Sequence, residues 1–120
     1  MKNSNLHHWT KNDYKIIFFI TKYNMNPIYF KNESEVSEFI GTTITSVKKM
    51  CSNFRHLLGL PNQLNHIKKL QQEVFDECNG KGFMELLLEC RTIVDSKVND
   101  MILLSKGVKK YQSIGIRELV

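Results

Sequence analysis

The chain has 120 residues and a mass of 14.1 kDa, which suits one domain with a modest core. Hydrophobic residues make up 42% of it, which excludes a disordered tail, and its longest apolar run, Ile16 to Ile20, is too short to span a bilayer. The net charge of +5 favours a polyanionic partner.

The N-terminal segment predicts a polar leader up to His8 and then a helix from about Thr10 to Tyr23. Asp13 stands three residues after Thr10, which is the spacing of a capping box. This helix is apolar round much of its circumference, so we expect it to be a central packing element. Pro27 follows in an extended loop.

Two helices joined by a tight turn are predicted next. Asn32 is the expected cap of the first of them, with Glu35 completing a capping box. Gly41 ends that helix, because glycine adopts the left-handed conformation without a Cβ clash. The second helix then begins after one of two candidate caps, Thr42 or Thr43.

The second helix has one apolar and one polar face, and Gly59 and Pro61 end it. The apolar face consists of Ile44, Val47, Met50, Cys51, Phe54, Leu57 and Leu58. The opposite face has hydroxyls, an amide and cations but no acid: Thr45, Ser46, Lys49, Ser52, Asn53 and His56, with Lys48 and Arg55 on its flank. Hydroxyls and amides read base edges and cations neutralise phosphates, so this surface indicates a DNA-binding helix-turn-helix.

The net charge lies in an acid-free segment from Phe39 to Gln72. That segment contains five cations, Lys48, Lys49, Arg55, Lys68 and Lys69. The other twelve cations of the chain match its twelve acids. Basic charge concentrated in this way indicates a polyanion partner.

Two further helices are predicted, from Asn62 to Asn79 and from about Phe83 to Ser105, separated by Gly80-Lys81-Gly82. The stripe of the last helix is Met84, Leu87, Cys90, Val94, Val98 and Met101. Further apolar residues broaden it, which indicates contact with a second subunit or, equally, with the chain's own core. The tail 107–120 is either a short strand or a segment that binds a neighbour.

Catalytic and metal sites are not predicted. Cys51, Cys78 and Cys90 are widely spaced and lie on apolar stripes, so we expect buried thiols in a reducing cytosol and no zinc site. The sequence has no phosphate-binding glycine loop or nucleophile motif, so we expect no enzyme and no cofactor.

The segments WTKNDY, FIGTTITSVKKMCSNFRHL and EVFDEC together resemble the DNA-recognition segment of some bacterial HNH-type restriction endonucleases. The resemblance covers most of residues 9 to 95 and includes the pair Asn53-Phe54 at the end of the recognition helix. Thr42 stands where that family often has Arg. The resemblance implies DNA binding without nuclease activity, because these residues contain no HNH catalytic segment.

The sequence therefore predicts an all-α protein with a helix-turn-helix core of three helices and two longer C-terminal helices. Within a single domain, residues 9–59 would bind DNA, 62–106 would pack or dimerise, and 107–120 would form the tail. The expected function is a cytoplasmic, sequence-specific, dimeric regulator of transcription or of a mobile element.

Specific residues are predicted to contact the DNA bases, the phosphates and a second subunit. The residues expected to face the major groove are Thr42, Thr43, Thr45, Ser46 and Lys49. The expected phosphate ligands are Lys48, Asn53, Arg55, Lys68 and Lys69, and the expected dimer interface is Leu87, Val94, Val98 and Met101. The alternative is a helical adaptor or inhibitor that binds a protein through the long last helix and an acidic patch, Glu73, Asp76, Glu77, Glu85 and Glu89.

Overall fold

The computed structural model describes residues 7–63 and 66–105, with side chains up to Ile102. The predictions for residues before His7 and for the tail 107–120 lie outside this range. The described residues form helices and no strand, which confirms the all-α class. The helices are α1 (Lys11–Lys22), a short 3-10 helix (Asn26–Ile28), α2 (Glu33–Ile40), α3 (Ile44–Leu57), α4 (Lys69–Cys78) and α5 (Phe83–Ser105). None of these helices has the length and apolar content to span a membrane.

Helix α1 is the centre of the core, as predicted. The Thr10 hydroxyl accepts from the Asp13 N–H and the Asp13 carboxylate accepts from the Thr10 N–H, so the capping box is complete. Its fully or largely buried residues are Tyr14, Ile16, Ile17, Phe18, Phe19 and Ile20. The Phe18 ring lies edge-on to Phe54 and Phe75, which joins α1 to α3 and α4.

Helix α2 and the turn after it also follow their local signals. The Asn32 side chain caps α2 by accepting from the Glu35 N–H at 2.9 Å. The Glu35 carboxylate accepts from the Lys31 N–H and not from that of Asn32, so only half of the predicted capping box forms. Gly41 has φ +92°, the left-handed conformation expected of the turn.

Helix α3 begins and ends close to the predicted residues. Its cap is Thr43, the second of the two candidates, whose hydroxyl accepts from the Ser46 N–H at 3.1 Å. Gly59 has φ +78°, and the next N–H, that of Leu60, donates to the Arg55 carbonyl at 2.8 Å. This hydrogen bond satisfies a carbonyl of the last turn and ends the helix.

The predicted start of α4 is wrong. Asn62 does not cap a helix, since its side-chain amide donates to the Leu60 carbonyl at 2.9 Å. Residues 62, 63 and 66–68 are not helical, and α4 begins at Lys69 without a side-chain cap. With 10 residues α4 is short, so of the two C-terminal helices only α5, with 23, has the expected length. We call the described residues between α3 and α4, 58–63 and 66–68, the connecting loop.

The chain divides into two compact units, Met1–Cys90 and Arg91–Val120. Helix α4 packs on α1, and the first unit includes it together with α2 and α3. In this unit α5 buries Leu86, Leu87 and Cys90 and exposes Met84 and Leu88. Met84 therefore does not belong to the inward stripe in which the sequence placed it.

The described part of the second unit is the remainder of α5. Val94 is buried there, whereas Val98 and Met101 are exposed.

Candidate nucleic-acid interface

The connecting loop lies across the polar face of α3. The Ser52 hydroxyl donates to the Gln63 carbonyl at 2.9 Å and accepts from the Gln63 N–H at 2.6 Å. Arg55 donates through Nε to the Pro61 carbonyl at 2.6 Å. Because of these bonds, the C-terminal half of the face that the sequence assigned to DNA binds the chain's own loop.

Asn53 and Gln71 form a fully buried amide pair that joins α3 to α4. Asn53 Nδ2 donates to Gln71 Oε1 at 3.2 Å and to the His66 carbonyl at 3.3 Å. Gln71 Nε2 donates in turn to the Met50 carbonyl at 3.0 Å. The predicted role of Asn53 as a phosphate ligand does not fit this position, because its amide is inaccessible to DNA.

An open groove of about 660 Å³ separates α3 from the connecting loop; we call it the basic groove. One wall consists of Thr45, Lys48, Lys49, Ser52 and Arg55 of α3. The other wall is the stretch Pro61, Asn62 and Gln63. Three of the described lining residues are cations and none is an acid. Such a site attracts phosphate, because cations neutralise its charge and donate hydrogen bonds to its oxygens.

The basic groove brings together four of the predicted DNA-binding residues, Thr45, Lys48, Lys49 and Arg55. The predicted residues that do not line it are Thr42, Thr43, Ser46, Asn53, Lys68 and Lys69. Thr43 and Ser46 belong to the N-terminal cap of α3, where the Thr43 hydroxyl also donates to the Ser46 hydroxyl at 3.0 Å. Lys68 and Lys69 are exposed at the start of α4.

The groove also contains two amides that the sequence did not indicate, Asn62 and Gln63. The sequence predicted a helix over these residues, with Asn62 as its cap. A Pro-Asn-Gln stretch after a helix-ending glycine is the local sign that they belong to a loop.

Lys48 forms a weak ion pair beside the groove. Its ammonium lies 3.7 Å from a carboxylate oxygen of Glu33, at the start of α2. The Lys48 side chain is 63% exposed and that of Glu33 is 36% exposed. Exposed pairs contribute only about 0–1 kcal/mol, so a phosphate can replace Glu33 at little cost.

Part of the predicted acidic patch is already paired within the chain. Glu89 accepts from Lys81 at 2.9 Å and from Lys15 at 3.3 Å, while Glu77 accepts from Lys11 at 3.4 Å. The hydrogen bond from Lys81 holds the pKa of Glu89 below its usual value, and the bond from Lys11 does the same for Glu77. Exposed positions are occupied by the other three acids, Glu73, Asp76 and Glu85.

The cysteines are protonated thiols inside the first unit. Cys78 and Cys90 are fully buried, as predicted, and Cys51 is partly buried. Burial raises the pKa of Cys90 to about 12 and also raises the pKa of Cys51 and of Cys78. Thiols of this kind are poor nucleophiles. Among the described residues, no group of three or more His, Cys, Asp or Glu side chains is arranged to hold a metal ion.

Comparison with known proteins gives no relative: no family model, no curated protein and no solved structure matches the chain.

Proposed function

We propose that the chain binds double-stranded DNA through the basic groove and the N-terminal half of α3, as a small regulator of transcription or of a mobile element. The observation that carries this proposal is the set of cations in the groove, Lys48, Lys49 and Arg55, with no acid among the described lining residues. Cations in such a groove bind the phosphates of a DNA strand. Thr45 beside them supplies a hydroxyl suited to a base edge.

The position of the connecting loop supports contact through the start of α3. In helix-turn-helix proteins the N-terminal residues of the recognition helix contact base edges. Thr45 and Lys49 lie in this half of α3 and are exposed, whereas the loop binds Ser52 and Arg55 further along. The first turn of α3 also contains no acid, so its helix dipole favours a nearby phosphate.

A salt titration tests this proposal. We would measure binding to random-sequence duplex DNA for the wild type, Lys48→Ala, Lys49→Ala and a control, Lys11→Ala. Lys11 is an exposed lysine that does not line the groove, so its removal changes the net charge equally. Each groove variant should bind more weakly and lower the salt slope by about one unit per lost phosphate contact. Lys11→Ala should keep the wild-type slope.

Two results would contradict the proposal. Wild-type slopes in both groove variants would remove the groove as the DNA site. Absence of wild-type binding even at low salt would refute DNA binding altogether and favour the protein-binding adaptor.

We further propose that the regulator is a dimer that contacts two half-sites. Leu87 and Val94 are buried within the single chain, so of the four predicted interface residues the exposed ones, Val98 and Met101, are those available to a second copy. Two half-sites one helical turn apart would supply the specificity that one short helix lacks.

Sedimentation at micromolar concentration tests the dimer. The wild type should have a mass of about 28 kDa, twice the 14.1 kDa of one chain. Met101→Glu should return it to the mass of one chain with unchanged helical content, because a charge buried in an interface is costly. A wild type that sediments as a single chain would refute the dimer.

A further inference from the structure

The second wall of the basic groove contains, beside Pro61, two residues with neutral amide side chains, Asn62 and Gln63. Asn62 and Gln63 are both exposed and line the groove opposite the cations of α3. Neutral amides add no charge to the attraction for phosphate. Their hydrogen-bond donors and acceptors are instead suited to base edges, and amides pair with adenine through its N6 and N7 atoms.

The connecting loop holds these amides in a defined position. Both backbone groups of Gln63 bind the Ser52 hydroxyl, and the Pro61 carbonyl accepts from Arg55. The Asn62 amide uses one N–H in its bond to the Leu60 carbonyl. Its second N–H and its oxygen are the donor and acceptor that adenine requires. A loop fixed in this way loses little conformational entropy when it binds.

We infer that the stretch from Pro61 to Gln63 is a second reading element, in which Asn62 and Gln63 select adenine in the DNA that α3 contacts. This inference rests on the proposed DNA binding. The two walls of the groove then have different roles: the lysines bind phosphates and the loop amides distinguish bases. Ser52 and Arg55 are then positioning residues for the loop.

Selection from a pool of random duplexes tests the inference. The proteins compared are the wild type, Asn62→Ala, Gln63→Ala and a control, Gln72→Ala, which removes an amide of α4 that is bonded to Asp76 and does not line the groove. Each loop variant should lose the preference for adenine at one position. Its affinity for the wild-type site should fall about 5- to 150-fold, the effect of one bidentate base contact. Gln72→Ala should select the wild-type sequence.

A salt titration of the same variants separates base reading from phosphate binding. Neither loop variant removes a charge, so the salt slope and the affinity for unrelated DNA should stay at wild-type values. Gln63→Glu adds a direct gain-of-function test, because a carboxylate accepts from the cytosine amino group. The duplexes selected by this variant should have cytosine in place of adenine at the position that residue 63 contacts. Helical content is checked in every variant by circular dichroism.

The inference and the proposed function fail in different ways. If the wild type selects a sequence and both alanine variants select the same one with equal affinity, the loop does not read bases while DNA binding stands. An equal loss of affinity for all sequences would likewise overturn the reading role. A wild type that binds no duplex DNA would refute the proposed function itself.

Discussion

Replacing Asn53 with Ala should destabilise the first unit by about 2–4 kcal/mol. The variant removes the donor to Gln71 Oε1 and to the His66 carbonyl. Gln71 is fully buried, so its unpaired oxygen carries the desolvation cost of about 1–3 kcal/mol. His66 is exposed and water can replace the lost donor there, so that bond contributes about 1 kcal/mol.

Urea and thermal denaturation followed by circular dichroism measure this effect. In a domain of this size, Tm falls by about 4–6 °C per kcal/mol, so we expect a decrease of about 8–24 °C. Gln72→Ala, one residue from the buried pair but on the outside of α4, should change the unfolding free energy by less than about 0.5 kcal/mol. A double-mutant cycle with Gln71→Ala should give a coupling of at least about 0.5 kcal/mol, because the two amides share a bond.

The same substitution should loosen the basic groove, because Asn53 joins α3 to the connecting loop as well as to α4. Hydrogen exchange at the Gln63 amide, which binds Ser52, should become faster in Asn53→Ala than in Gln72→Ala. An Asn53→Ala protein within about 0.5 kcal/mol of wild type would refute the reasoning. The buried amide pair would then contribute nothing to stability.

Three other perturbations test the turn, the groove charge and the lysine–glutamate network. Gly41→Val should lower the free energy of unfolding by about 1–2 kcal/mol, because φ is +92° there, although the added side chain meets no neighbour. The control Gly80→Ala should not lower Tm, because Gly80 has no positive φ and equally open surroundings. A Gly41→Val protein with the Tm of the wild type would mean that the turn is absent. Glu33→Gln removes the carboxylate beside Lys48 and should tighten DNA binding about 2- to 5-fold at low salt, with no effect at high salt; weaker binding would contradict this. The lysine bonds hold the pKa of Glu89 below 4.5, so its stabilisation is complete above pH 4.5 and is lost as the pH falls through the lower, folded-state pKa. The free energy of unfolding of the wild type should therefore exceed that of Glu89→Gln by about 1 kcal/mol at pH 7, and this difference should shrink below pH 4.5. A constant difference down to pH 3 would contradict the pairing of Glu89 with the lysines.

The sequence by itself determined the elements whose signals are local. The capping box of Thr10 and Asp13, the left-handed Gly41 and the bounds of α5 all agree with the structure. Each depends on residues a few positions apart, and such hydrogen bonds and φ preferences exist before any tertiary contact forms. The sequence also indicated correctly that α1 lies at the centre, because a helix that is apolar on most sides must be surrounded.

The tertiary structure alone decided where α4 begins and which part of the polar face of α3 is accessible. Asn62 starts a segment with helical apolar spacing, but Ser52 binds Gln63 and Asn53 binds the His66 carbonyl, which removes these residues from any helix. Those partners are 11 and 13 residues apart, beyond the reach of helical periodicity. The same bonds bury Asn53 and turn a surface expected to be continuous into a groove between α3 and its own loop. Helical spacing shows which residues share a face, but what covers that face depends on bonds between residues distant in the chain.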